Sequence, residues 1–109
     1  MINEFLKNII ENIFEAFPNL SDCIYSYDRF SDTHFIMIQS KSIYESELFA
    51  RLDADISMKF YNLGQQGSLC FISPDSQISM ENPRTFINKR LPKAVTVVNG
   101  GLNYSIPDI

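Results

Sequence analysis

The stretch from Ser42 to Ser73 constrains the fold more than any other. Leu48, Phe49, Leu52, Ile56, Phe60 and Leu63 recur at helical spacing and make one apolar stripe. Ser42 and Glu45 have the S-x-x-E spacing of a capping box ahead of that stripe. Glu47 with Arg51, and Asp55 with Lys59, are acid-before-base pairs at i,i+4 on the opposite surface. Gly64 suits the left-handed stop of such a helix. Leu69-Cys70-Phe71-Ile72 then reads as a central strand buried on both faces. A helix this apolar on one side needs a broad surface to cover, and a sheet supplies one.

The segment before it repeats the demand. Phe5, Leu6, Ile9, Ile10, Ile13, Phe14 and Phe17 give a wide apolar face to a helix over residues 3–17, which Pro18 ends. Cys23-Ile24-Tyr25-Ser26-Tyr27 and Thr33-His34-Phe35-Ile36-Met37-Ile38-Gln39 are strands with alternating faces. The polar turn Asp28–Asp32 between them makes a hairpin the expected connection. A strand, a helical crossover and a second strand form a βαβ-like unit across residues 33–72. After the turn at Ser73-Pro74-Asp75-Ser76, residues 77–80 read as a short returning edge strand, and Thr85-Phe86-Ile87 has β character.

The end of the chain admits two readings. Ala94-Val95-Thr96-Val97-Val98, the turn Asn99-Gly100-Gly101 and Leu102–Ile106 form either a terminal hairpin or an extended arm completed by another chain. The expected fold is therefore α+β, a single domain over residues 1–109. Two helices lie on one face of a mostly antiparallel sheet of four or more strands, in the order α-β-β-α-β-β plus a C-terminal hairpin, with residues 84–109 as a candidate arm. In order alone, the first six elements match a circular permutation of the ferredoxin-like split βαβ arrangement.

Composition narrows the function classes. With 109 residues, 45% hydrophobic and 20% charged, the chain is in the globular range and long enough to bury a core without metal or disulfide. The net charge is -4, but it is uneven. Residues 1–80 hold eleven acidic and five basic groups, giving -6, whereas Glu81 and Asp108 stand against Arg84, Lys89, Arg90 and Lys93, giving +2. The first residues show neither the apolar core nor the cleavage site of a signal peptide, and no apolar run has the length of a membrane span. Cys23 and Cys70 lie in apolar runs, as buried free thiols do, so a cytoplasmic protein is expected.

Chemistry-bearing motifs are sparse. His34, near Asp28 and Asp32, is the single histidine; as general base or ligand it would need a concave pocket around it. One His and two separated Cys give no zinc spacing, and the Asp28/Asp32 pair fits turn geometry better than a cation site. The four glycines form no phosphate-binding pattern. We accordingly expect no catalysis, no cofactor and no metal. The expected function is a small interaction or regulatory module that binds a protein partner or a second copy as a homodimer, by edge-strand or arm pairing. Phe30, Val95, Val97 and Tyr104 are its candidate contacts. The alternative is nucleic-acid binding through Arg84, Lys89, Arg90 and Lys93, interleaved with Phe86, against an otherwise acidic surface.

Overall fold

The structure, a computed structural model, describes residues 4–90. Its elements are α1 (Glu4–Ala16), β1 (Asp22–Asp28), β2 (Thr33–Ile38), α2 (Lys41–Tyr44), α3 (Glu47–Asn62), β3 (Ser68–Ile72) and β4 (Arg84–Ile87). The strands form one sheet in the order β3-β2-β1-β4. β1 pairs antiparallel with both β2 and β4, and β2 pairs parallel with β3. This is the α+β sandwich expected, with helices packed on a mostly antiparallel sheet.

Period-two alternation divides the sheet into two faces. Register aligns Arg84, Tyr25, Ile36 and Phe71 in one row, and Phe86, Cys23 and Ile38 in the next. These rows meet the helices. Leu6, Ile9, Ile10, Ile13 and Phe14 of α1, with Phe49, Ile56 and Phe60 of α3, join Cys23, Tyr25, Ile36, Ile38 and Phe71 in one buried cluster, with Phe86 packed against it. Ring contacts Phe5–Phe60 (5.9 Å) and Phe17–Phe49 (6.0 Å) tie the two helices together and show them antiparallel. The broad face of α1 is as the sequence predicts.

The other face carries the rows Thr85-Ile24-Met37-Ile72 and Ser26-Phe35-Cys70. Between β3 at one edge and β4 at the other, residues 73–83 cross this face. Ser26 Oγ, buried on it, donates to the Glu81 carbonyl at 2.6 Å. Lys41 pairs with Asp75 at 3.2 Å near the start of the crossing, and Ser73 also donates to Asp75.

Several expectations are corrected. Ser42 caps no helix. Ser40 Oγ accepts from Ile43 N to start α2, and Ser46 Oγ accepts from Phe49 N to start α3. The chain breaks between these turns, which puts Leu48 at 60% exposure, and Leu63 stands 62% exposed beyond the last helical residue. β3 is an edge strand, not a central one. Its Phe71 and Ile72 are buried on opposite faces, by the helices and by the crossing segment. Residues 77–80 form no strand, because the crossing leaves them no strand to pair with. A split βαβ order needs a strand between the two parallel ones, whereas β2 and β3 are direct neighbours. The i,i+4 pairs Glu47–Arg51 (3.0 Å) and Asp55–Lys59 (3.3 Å) do form. The C-terminal hairpin lies outside the described residues.

Candidate functional site

The described surface offers one strand edge whose backbone is not engaged by a neighbour. Sheet order makes β3 and β4 the edges. At β3 the Tyr44 hydroxyl of α2 donates to the Phe71 carbonyl at 3.2 Å. At β4 no comparable contact occurs among the described residues. Ile87, paired with Asp22 on the helix-free side, is 68% exposed. On the neighbouring strand of the same helix-free face lies the half-buried Ile24, with the half-buried Met37 and Phe35 one strand further on.

The position of β4 is set by a buried amide. Asn88 is 2% exposed, and its Nδ2 donates to the carbonyls of Leu20 (2.8 Å) and Pro18 (3.2 Å). Its backbone N–H donates to Ser21 O at 2.9 Å, and its Oδ1 accepts from Arg90 N at 2.9 Å. These bonds use most of the hydrogen-bonding capacity of Asn88, as burial requires. They fix the strand end against the loop after α1. Arg90 Nη1 then meets Glu11 Oε1 at 2.8 Å.

Phe30 stands 82% exposed at the β1–β2 turn, with the Arg29 guanidinium 5.5 Å from its ring centre. Chain direction brings the end of α3 and the start of β3 to the same end of the sheet. The Asp32 carbonyl accepts from Ser68 N at 2.8 Å. Gly67, at φ +85°, leaves room for this approach: a Cβ there would sit 2.7 Å from the Asp32 carbonyl oxygen.

His34 belongs to the same corner. Its Nε2 lies 3.3 Å from the Gln66 carbonyl, which can only accept, so Nε2 carries the proton and Nδ1 accepts from the Tyr25 hydroxyl at 2.7 Å. Tyr27 packs its ring 4.9 Å from the imidazole and donates to Asp32 Oδ1 at 2.6 Å. Burial holds the His34 pKa below its ordinary 6.5, against the opposing pull of the Gln66 carbonyl and Asp32. Neither of the two concavities described here, between α1 and α3 and beside residues 16–19, is lined by His34. The arrangement is that of a satisfied structural histidine.

Cys23 faces the helices and Cys70 the opposite side of the sheet; both are free thiols. Burial pushes the Cys23 thiol up to about 12, which keeps it protonated and unreactive. Asp28 accepts from Ser31 Oγ (2.6 Å) and from Phe30 N (3.3 Å), a turn-stabilising role. No cluster of three or more His, Cys, Asp or Glu with metal-binding placement occurs among the described residues. No described helix is long and apolar enough to cross a membrane.

The basic candidates among the described residues do not converge. The Arg84 guanidinium lies over the Phe86 ring at 5.1 Å, near one end of β4, whereas Arg90 sits past the other end on Glu11. Lys89 is exposed between them. Lys93, Val95, Val97 and Tyr104 lie outside the described residues. Two features escaped sequence reading: the helix-free sheet face and the Asn88 latch. The first was signalled by Ile24, Phe35 and Met37 alternating with the core residues; nothing local marked Asn88.

No protein-family model, curated protein or solved structure matches this chain.

Proposed function

We propose that this chain is a small, non-catalytic protein-interaction module that takes an extended segment, in the first instance from a second copy of itself, along β4. The observation that carries the reading is the open edge of β4, held in place by Asn88 and flanked by exposed Ile87. Backbone groups at a sheet edge are ready to pair with an added strand. Side chains of that strand would reach Ile87 and the adjoining Ile24 on the helix-free side. Phe30 is a further contact in this reading, and Val95, Val97 and Tyr104 are contacts from beyond the described residues. Free thiols on opposite sheet faces fit a cytoplasmic setting. The nucleic-acid reading has less support, since Arg84 and Arg90 are engaged by Phe86 and Glu11.

Light scattering across a concentration series tests the proposal. The full chain is expected to show a mass above that of one chain, and Ile87→Lys, a charge of the kind that blocks strand addition, to return it to one. A single-chain mass throughout, with no added hydrogen-exchange protection at residues 84–87, overturns pairing with a second copy.

A further inference from the structure

The Asn88 N–H donates to the Ser21 carbonyl at 2.9 Å, and continuing the β1–β4 register sets these two residues directly opposite each other. In an antiparallel pair, opposed residues that exchange hydrogen bonds alternate with residues whose amides point away. Phe86 opposite Cys23 and Arg84 opposite Tyr25 therefore turn their N–H and C=O groups to β1. Thr85 and Ile87 turn theirs to the outer edge. Both are exposed, with side chains on the helix-free side.

A strand that satisfies this edge must bring its own outward amides opposite Thr85 and Ile87. A second β4 related by a two-fold axis can do so in three antiparallel registers. Thr85 opposite Thr85 brings Pro83 opposite Ile87, and proline has no N–H to give. It also makes the two Arg84 diagonal neighbours of like charge. Ile87 opposite Ile87 brings Thr85 opposite Lys89, where the chain has left the strand for a turn. The third register, Thr85 opposite Ile87 on both sides of the axis, has neither defect. Both outward residues of each strand then exchange hydrogen bonds with the other. Phe86 meets Phe86 at the centre, on the helix side, in a non-hydrogen-bonded pair where side chains stand closest. The two Arg84 lie about 14 Å apart, beyond the screening length at physiological salt.

We propose that the strand added at β4 is β4 of a second copy, antiparallel about a two-fold axis at Phe86, with Thr85 of each chain opposite Ile87 of the other. The pairing rests on the reading of β4 as a strand-addition edge, and it uses residues 84–88 alone.

Disulfide trapping tests it, in full-length chains carrying Cys70→Ser to remove the less buried native thiol. Thr85→Cys and Ile87→Cys are made separately, both at exposed positions outside the core. In the proposed register, position 85 of one chain lies about 5.5 Å from position 87 of the other between α-carbons, within disulfide reach. Positions 85 and 85, or 87 and 87, are diagonal neighbours about 7–8 Å apart and beyond it. A mixture of the two variants under mild oxidation is expected to give the mixed cross-linked dimer, a link that each variant alone loses. Self-linking of either variant in preference to the mixed dimer overturns the register and leaves strand addition standing. No cross-link in any combination, beside a light-scattering mass above one chain, seats the second copy elsewhere and overturns the pairing. A single-chain mass at every concentration overturns it together with the reading it rests on.

Discussion

The two faces of the sheet are built from the same alternating strands and meet different fates. On the helix side Cys23, Tyr25, Ile36, Ile38 and Phe71 are all at most 6% exposed, sealed by large side chains of α1 and α3. On the other side Ile72 is buried but Ile24, Phe35, Met37 and Cys70 are only half-buried, under an irregular crossing segment whose Glu81 carbonyl accepts from Ser26. Two amphipathic helices cover one face of a four-stranded sheet and no more. The apolar residues left over spread across β1, β2 and β3, and Ile24 on β1 adjoins β4, the edge that the proposed function uses.

The comparison breaks if the two faces are equally costly to disturb. Phe49 contacts the rings of Phe17, Tyr44 and Phe71 and is 2% exposed. Phe49→Ala is expected to destabilise the chain by about 3–5 kcal/mol in urea titrations. Met37→Ala, on the helix-free face, is expected to cost about 1 kcal/mol, since a half-buried side chain forfeits less transfer energy and leaves no closed cavity. Equal costs would show that the far face is also sealed.

The next effect belongs to the corner where both faces begin. Gly67→Ala forces a Cβ onto the Asp32 carbonyl at a φ of +85° and must part β2 from β3 or strain the loop. A loss of about 1–3 kcal/mol is expected. Gly64, at φ +66° with open space around it, provides the control: Gly64→Ala carries only the backbone cost, about 1 kcal/mol. If both variants unfold at the same urea concentration, the Asp32–Gly67 approach does not hold the strands in register.

Periodicity made the large elements legible because burial of a whole face enforces it. The α1 stripe from Leu6 to Phe14 and the faces of β1 and β2 follow from sequence alone. Capping was less legible, because Ser40, Ser42 and Ser46 crowd one segment and backbone geometry selects among them. Ser40 and Ser46 are extended, as caps must be, while Ser42 lies inside α2. The edge position of β3 was hidden because an apolar run is the same whether helices or a loop cover its second side. Asn88 was illegible for a different reason: its partners, Pro18 and Leu20, are some seventy residues away, and no local pattern encodes them. The candidate edge at β4 was seen only as β character at residues 85–87, because openness is a property of the sheet order.

The smallest expected effect concerns His34, which ties the corner to the helix-covered face. Asp32 and Tyr27 from the β1–β2 region, and Tyr25 beneath, are among the titratable groups acting on it, the chain's α-ammonium adds a weak repulsion that also lowers its pKa, and the Gln66 carbonyl is its contact from the α3–β3 loop. Protonating Nδ1 turns the Tyr25 hydroxyl from donor to acceptor and leaves its own proton to find a partner at a buried position. The folded state therefore binds this proton less readily than the unfolded chain, in keeping with a pKa lowered chiefly by burial. Stability from this group is complete above the ordinary histidine range and declines as pH falls through it, because the unfolded state takes up the proton first. Between about pH 7 and pH 5, above the carboxylate range, urea midpoints are expected to fall for the native chain and to stay level for His34→Gln. A native midpoint that rises on acidification would mean that Asp32 stabilises an imidazolium more than burial opposes it, and the corner would then be an ion pair in place of a neutral clamp.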